Sequence, residues 1–195
     1  MKIRERKMPR VALVAALAMV AGSYSVPRGL EAQSAQDAID NALAAAPARA
    51  REGAAVIRWN ADHTYATLKE GTNTFVCYDR SGETRRAPFD VQCTNVGNLE
   101  RVAQNRRFRV EGGDRDGENA LIEAAEADGT RVLPVYGSIW IAMRGQDRES
   151  AGTHTTIAVP GATTQSTGLP EDGSEGGAWI MAAGTTQAHI MTPGN

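Results

Sequence analysis

The chain has 195 residues, 23% of them charged, and a formal net charge of −2. Six of its 21 basic and two of its 23 acidic residues fall in the first 32 positions, so 33–195 carries 15 basic against 21 acidic residues, about −6. The densest basic run, Arg106, Arg107 and Arg109, is followed at once by Glu111, Asp114, Asp116 and Glu118. That argues against the basic stripe needed to neutralise nucleic-acid phosphates or an anionic membrane.

Lys2, Arg4, Arg6, Lys7 and Arg10 precede a wholly apolar stretch, 11–20 (VALVAALAMV), and Leu30-Glu31-Ala32 sets a small residue before Gln33. Basic, apolar and small-residue segments in that order define a secretory signal peptide, expected to span 1–32 and to be cleaved. The apolar run is too short for a bilayer, which takes about 20 residues. No cysteine follows it to carry a lipid anchor, so no stable membrane insertion is expected after cleavage. The remainder, 33–195, is expected to be a single periplasmic or secreted domain, long enough to bury its own core.

Ser34 reads as the N-cap of a helix, with Asp37 three residues on. Ala35, Ala38, Ile39, Ala42, Leu43 and Ala46 follow at helical spacing, and Pro47 stops the run. The face is mostly alanine, which predicts either close packing or a weak contact. Residues 54–59 (AAVIRW) and 65–69 read as strands around a turn at 60–64. A second turn at Gly71-Thr72-Asn73 leads into a strand at 75–78. Residues 81–90 read as a polar loop. A helix is expected over 98–107, with Leu99, Val102 and Ala103 inward, whereas 108–110 leans extended. Residues 118–128 form a better helix pattern, ended by Gly129 in the left-handed position. The flanks 112–117 and 131–134 read as exposed. Residues 138–143 (SIWIAM) and 178–183 (AWIMAA) are apolar on both alternating faces, as central strands are, and 155–159 and 187–192 read as further strands. Between them, 160–177 is an aperiodic loop rich in Gly, Thr and Pro, a length that is usually functional or disordered. The expected architecture is α+β in one domain: an antiparallel or mixed sheet with two or three helices.

The two cysteines, Cys77 and Cys93, have fifteen residues between them. An even pair in an exported chain reads as a disulfide. Closing such a loop stabilises by roughly 3 kcal/mol. A redox-active pair would need a tighter C-x-x-C spacing.

Catalytic spacings are absent: there is no G-x-S-x-G, no H-E-x-x-H and no G-x-G-x-x-G after a strand. Gly112 and Gly117 have the glycine spacing of a phosphate loop, but Glu118-Asn119 stand where Lys-Ser/Thr is required. Asp114, Asp116 and Glu118 hint at a calcium loop, yet its sixth position is Asn119 and its twelfth Ala125. The three histidines, His63, His154 and His189, lack ligand spacing with one another, so no metal and no cofactor is assigned. Trp59, Trp140 and Trp179 each sit in an expected strand, where a core anchor is the ordinary role.

Several segments resemble a family of exported bacterial proteins of unknown function. Leu68-Lys69-Glu70-Gly71-Thr72-Asn73-Thr74-Phe75-Val76-Cys77 matches its L-[RK]-x-G-[TS]-N-x-[FW]-x-C segment, downstream of an Ala-rich helix ending Ala45-Ala46-Pro47. Residues 138–144 correspond to its hydrophobic strand, and 154–160 (HTTIAVP) to its H-[VL]-M-[IL]-x-[VA]-P strand. Residues 176–181 and 184–191 (GTTQAHIM) resemble its G-G-P-[WY]-[IV]-M and G-T-P-x-A-H-[IL]-M endings. Ala178 and Thr186 stand where the family has prolines, and 95–133 matches nothing in it. The resemblance implies export, a cysteine pair and two strand histidines, His154 and His189, in recurring contexts. It carries no activity.

Two functional readings follow. One is a non-catalytic envelope domain that binds a small ligand or a protein partner, with His154 and His189 as candidate binding residues. The other is a hydrolase or metal-dependent enzyme built on the same two histidines.

Overall fold

The computed structural model describes residues 28–193. The basic and apolar stretches of the expected leader lie outside them. The fold is α+β, built on one eight-stranded mixed sheet. Its strands are β1 (Ala55–Trp59), β2 (Tyr65–Lys69), β3 (Phe75–Asp79), β4 (Phe89–Asn95), β5 (Ile139–Gly145), β6 (Gly152–Ala158), β7 (Trp179–Met181) and β8 (His189–Met191). They lie in the order β2-β1-β3-β4-β5-β6-β8-β7, antiparallel throughout except for the β1–β3 pair. The described helices are α1 (Arg28–Ala42), α2 (Ala48–Arg51), α3 (Leu99–Glu111), α4 (Arg115–Ala127) and α5 (Thr164–Thr167). That is two more than the upper expectation, and the extra pair, α2 and α5, are single turns of four residues.

The sheet is covered on both faces. Register places Val56, Cys77, Cys93 and Ile141 side by side on one face. Against them packs the alanine-rich end of α1 with its following turn, through Ala42, Leu43, Ala45 and Ala46. Small side chains let the backbone approach closely, and Ala42 O lies 3.8 Å from Cys93 Sγ. The expected disulfide joins Cys77 to Cys93, directly opposite residues of β3 and β4 and both fully buried. On the other face, Ile57, Val76 and Tyr78 meet Leu99 and Val102 of α3. Burying a side chain of this size is worth about 1.5–3 kcal/mol, so both faces contribute to holding the sheet.

The L-K-E-G-T-N segment has a structural task. β2 and β3 flank β1 on opposite sides, so the chain must cross the start of β1 between them. Gly71 makes the crossing, where a Cβ would lie 2.6 Å from the Ala55 nitrogen. Lys69 Nζ donates to the Glu52 and Ala54 carbonyls. Asn73 donates through Nδ2 to Ala50 O, and its Oδ1 accepts from Phe75 N.

Four local expectations are corrected. Helix α1 begins at Arg28 rather than at a Ser34 cap, because Leu30, Glu31, Ala32 and Gln33 are themselves good helix formers. Residues 89–95, whose first two positions were assigned to a loop, form the central strand β4. Residues 108–110 continue α3, so the aromatic and β-branched preference of Phe108 and Val110 yields to the helix that Leu99 and Val102 anchor. Residues 178–183 contain only the edge strand β7, since Ala182 (φ 53°) and Gly184 (φ 82°) turn the chain away directly after Met181.

The loop 160–177 is ordered by its own hydrogen bonds. Thr163 and Ser166 form a capping box on α5, Gly168 closes that turn at φ 71°, and Asp172 caps the next turn. Leu169 packs against the small cluster of Val159, Ala162, Ile180 and Ala188.

Candidate functional site

The site lies on the α3 side of the sheet and begins with how α3 and α4 are set. At their corner Gly117 and Gly112 meet backbone to backbone: a Cβ on Gly117 would fall 2.2 Å from Gly112 O. Gly113 takes φ 70°, and Asp114 caps α4 by accepting from Gly117 N at 2.8 Å. The glycine spacing of 112–117, with Asp114 and Glu118, thus serves a tight helix–helix corner. Arg85 clamps that corner by donating to Gly113 O, Arg109 O and Glu118.

Between these helices and the sheet is a cavity of about 340 Å³. Trp140 of β5 and Thr156 of β6, paired in register, line it together with Ala158, residues 186–189 leading into β8, and Ile122 of α4. Four arginines line it as well, Arg101, Arg109, Arg115 and Arg131, against one carboxylate, Glu118.

Their pairing differs. Arg109 is neutralised by Glu83 at 3.1 Å and Glu118 at 3.5 Å. Arg101 and Arg131 are each only 5% exposed, and neither makes an ion pair with a described residue. Arg101 donates to Val132 O and to the Thr186 hydroxyl, which in turn donates to Glu126. Arg131 donates to Gln104 and Asn105, its Nε has no hydrogen-bond partner among the described residues, and its guanidinium lies 5.4 Å over the Phe108 ring. Burial, then the like charge of Arg131, pulls Arg101 down to about 10. Burial lowers Arg131 too, against the pull of Glu126 and Glu118. Buried charges are ordinarily paired, because desolvating a lone ion costs several kcal/mol. By contrast, Arg80 is buried with its carboxylate partner Asp90 close by.

The structure separates the candidate histidines. Register puts His154 and His189 on the same face, but His189 pairs with Ala158, four residues along β6 from His154. That offset is roughly 13 Å of strand. His189 lines the arginine cavity, and its Nδ1 lies 2.7 Å from Gln187 O, so Nδ1 carries the proton and Nε2 is the free nitrogen. His154 lines a different cavity at the far end of β6 with Thr192 and Pro193. Its pKa is lowered, by burial first and then by Arg144 and the charge of His189. Among the described residues, no three His, Cys, Asp or Glu side chains gather as a metal-binding group. Trp59 is half-buried beneath Arg106 at 5.0 Å and packs against the α3-side core, while Trp140 packs on that same core and also walls the cavity.

Arg101, Arg109, Arg115 and Arg131 were not legible as a site. The available signal was Arg101, Asn105 and Arg109 at i, i+4 and i+8, one polar face of a helix, which usually faces water. Arg131, expected in an exposed flank, is instead buried. Compared with protein-family models, curated proteins and solved structures, the chain matches none.

Proposed function

We propose that the chain is an exported, non-catalytic binding domain that holds a small anionic ligand in the cavity between α3, α4 and the β5–β6–β8 face. One observation carries this reading: two arginines, each about 95% buried and without an ion-pair partner among the described residues, line one cavity of ligand size. An anion there would supply the missing countercharge through charge-assisted, bidentate hydrogen bonds. The cavity is basic in a chain whose 33–195 segment is about −6, so the positive charge is local and not a general property of the surface. Export is supported by the basic–apolar–small order of the first 32 residues, by the Cys77–Cys93 disulfide and by the family resemblance. Binding is favoured over a hydrolase or metal enzyme using His154 and His189 because those two side chains line separate cavities.

The test is thermal unfolding of the whole chain in phosphate, citrate or glucuronate against chloride at equal ionic strength. A ligand at ten times its Kd adds about 1.4 kcal/mol, which raises Tm by about 3–5 °C in a chain of this size. At least one of these anions should do so, and Arg131→Gln should abolish the rise. If none raises Tm above the chloride control, the reading is wrong.

A further inference from the structure

The cavity holds more than a charge. Its volume, about 340 Å³, lies at the lower end of the range for small organic ligands, roughly 300–1,000 Å³. A lone oxyanion would leave much of that space unfilled. The rest of the lining is polar in a particular way. Asn119, Thr156 and Gln187 make no side-chain hydrogen bond to any described residue, and His189 spends only Nδ1. That leaves two amides, a hydroxyl and a bare imidazole nitrogen around one space, with both donors and acceptors among them. Trp140 supplies the aromatic wall, and an aromatic face attracts the positive edge of C–H groups. Arg115 and Asn119 are exposed at the rim, which gives the ligand an entrance.

A ligand that answers all of these has one anionic group, several hydroxyls and a C–H face. We propose that it is an acidic monosaccharide, its anionic group on Arg101 and Arg131 and its hydroxyls on Asn119, Thr156, Gln187 and His189. This rests on the anion-binding reading above and narrows it. His189 Nε2 accepts from a sugar hydroxyl, since the Gln187 carbonyl holds the ring proton on Nδ1. The anionic group is a carboxylate or a phosphate ester, and both present the oxygen pair a guanidinium grips.

Calorimetric titration of the whole chain with glucuronate, glucose 6-phosphate, glucose, hexanoate and inorganic phosphate separates the possibilities. At least one acidic sugar should bind one to one, at least tenfold tighter than glucose, hexanoate and inorganic phosphate. The tighter of the two acidic sugars identifies the anionic group. Arg131→Gln should weaken the acidic sugar at least tenfold. Asn119→Ala and Gln187→Ala, changed at exposed or half-buried positions where folding is unthreatened, should each weaken it several-fold while leaving inorganic phosphate unchanged. If hexanoate or inorganic phosphate binds as tightly as both acidic sugars, the sugar assignment is overturned and anion binding stands. If glucose binds as tightly, or no anion binds, both fall.

Discussion

Arg80 and Arg131 are both buried, yet they stand in opposite electrostatic situations. Arg80 has Asp90, itself 1% exposed, and also donates to Gln92 Oε1, which accepts from the Tyr78 hydroxyl as well. Removing one member of such a pair strands the other and costs about 3–5 kcal/mol. Asp90→Asn should therefore lower Tm by about 6–20 °C. Arg131 has only neutral partners, so Arg131→Gln removes an uncompensated charge along with its bonds to Gln104 and Asn105. The ligand-free variant should stay within about 1 kcal/mol of the parent, a contrast that denaturant titration of both variants measures. Equal losses would contradict the view that Arg131 awaits a countercharge. The histidines set the acid-side behaviour. Burial, followed by nearby arginines, lowers His63 and His154 below the ordinary 6.5. The unfolded chain then takes up protons first, so stability falls as pH drops below about 6.5. Asp62, Asp128, Asp147 and Asp172, lowered by bonds from Thr64, Thr130, Ser150 and Ser174, extend the fall below pH 4. Tm should decline steadily from pH 7 to pH 4, and His63→Gln with His154→Gln should flatten the upper part of that slope.

At the scale of elements, the α3–α4 corner is the joint that positions the arginine cavity. Gly117→Ala would push a Cβ into the Gly112 carbonyl, which is backbone and cannot swing aside. Overpacking of this kind costs about 1–3 kcal/mol. Tm should drop by about 2–12 °C, whereas Gly82→Ala, with open space around its Cβ, should leave it unchanged. β1, β2 and β3 were legible as β-branched and aromatic runs set between turn residues, and α4 as an apolar stripe at helical spacing. β4 alternates, Phe89, Val91 and Cys93 against Asp90, Gln92 and Thr94. It was missed because Asp90 continues the polar run from residue 81 and so reads as loop, whereas Asp90 and Thr94 are buried. Arg80 and Asn98, donated from neighbouring segments, satisfy them. Such partners come from the tertiary fold, as does the burial of Arg101 and Arg131, and no local pattern carries either. The disulfide was legible from the cysteine count alone, an even pair in a chain expected to be exported, and the structure sets the two residues directly opposite on adjacent antiparallel strands.

The whole molecule assigns its two sheet faces different work. The α1 face is dry, with the disulfide and small apolar side chains packed against alanines, and it supplies stability. The α3–α4 face combines a modest apolar cluster with arginines, some paired with Glu83, Asp90 and Glu118 and two at a cavity with no ion pair to a described residue. On the proposed reading, this desolvated positive charge in an acidic chain receives the negative charge of the ligand. The most direct test is to follow the guanidinium Nε–H resonances of Arg101 and Arg131 by nuclear magnetic resonance while titrating the whole chain with glucuronate, glucose 6-phosphate or inorganic phosphate. Both resonances should move and saturate together with one of these anions, at a common Kd, while that of Arg80 stays in place. Resonances of Arg101 and Arg131 that do not respond to any of the three would contradict the account.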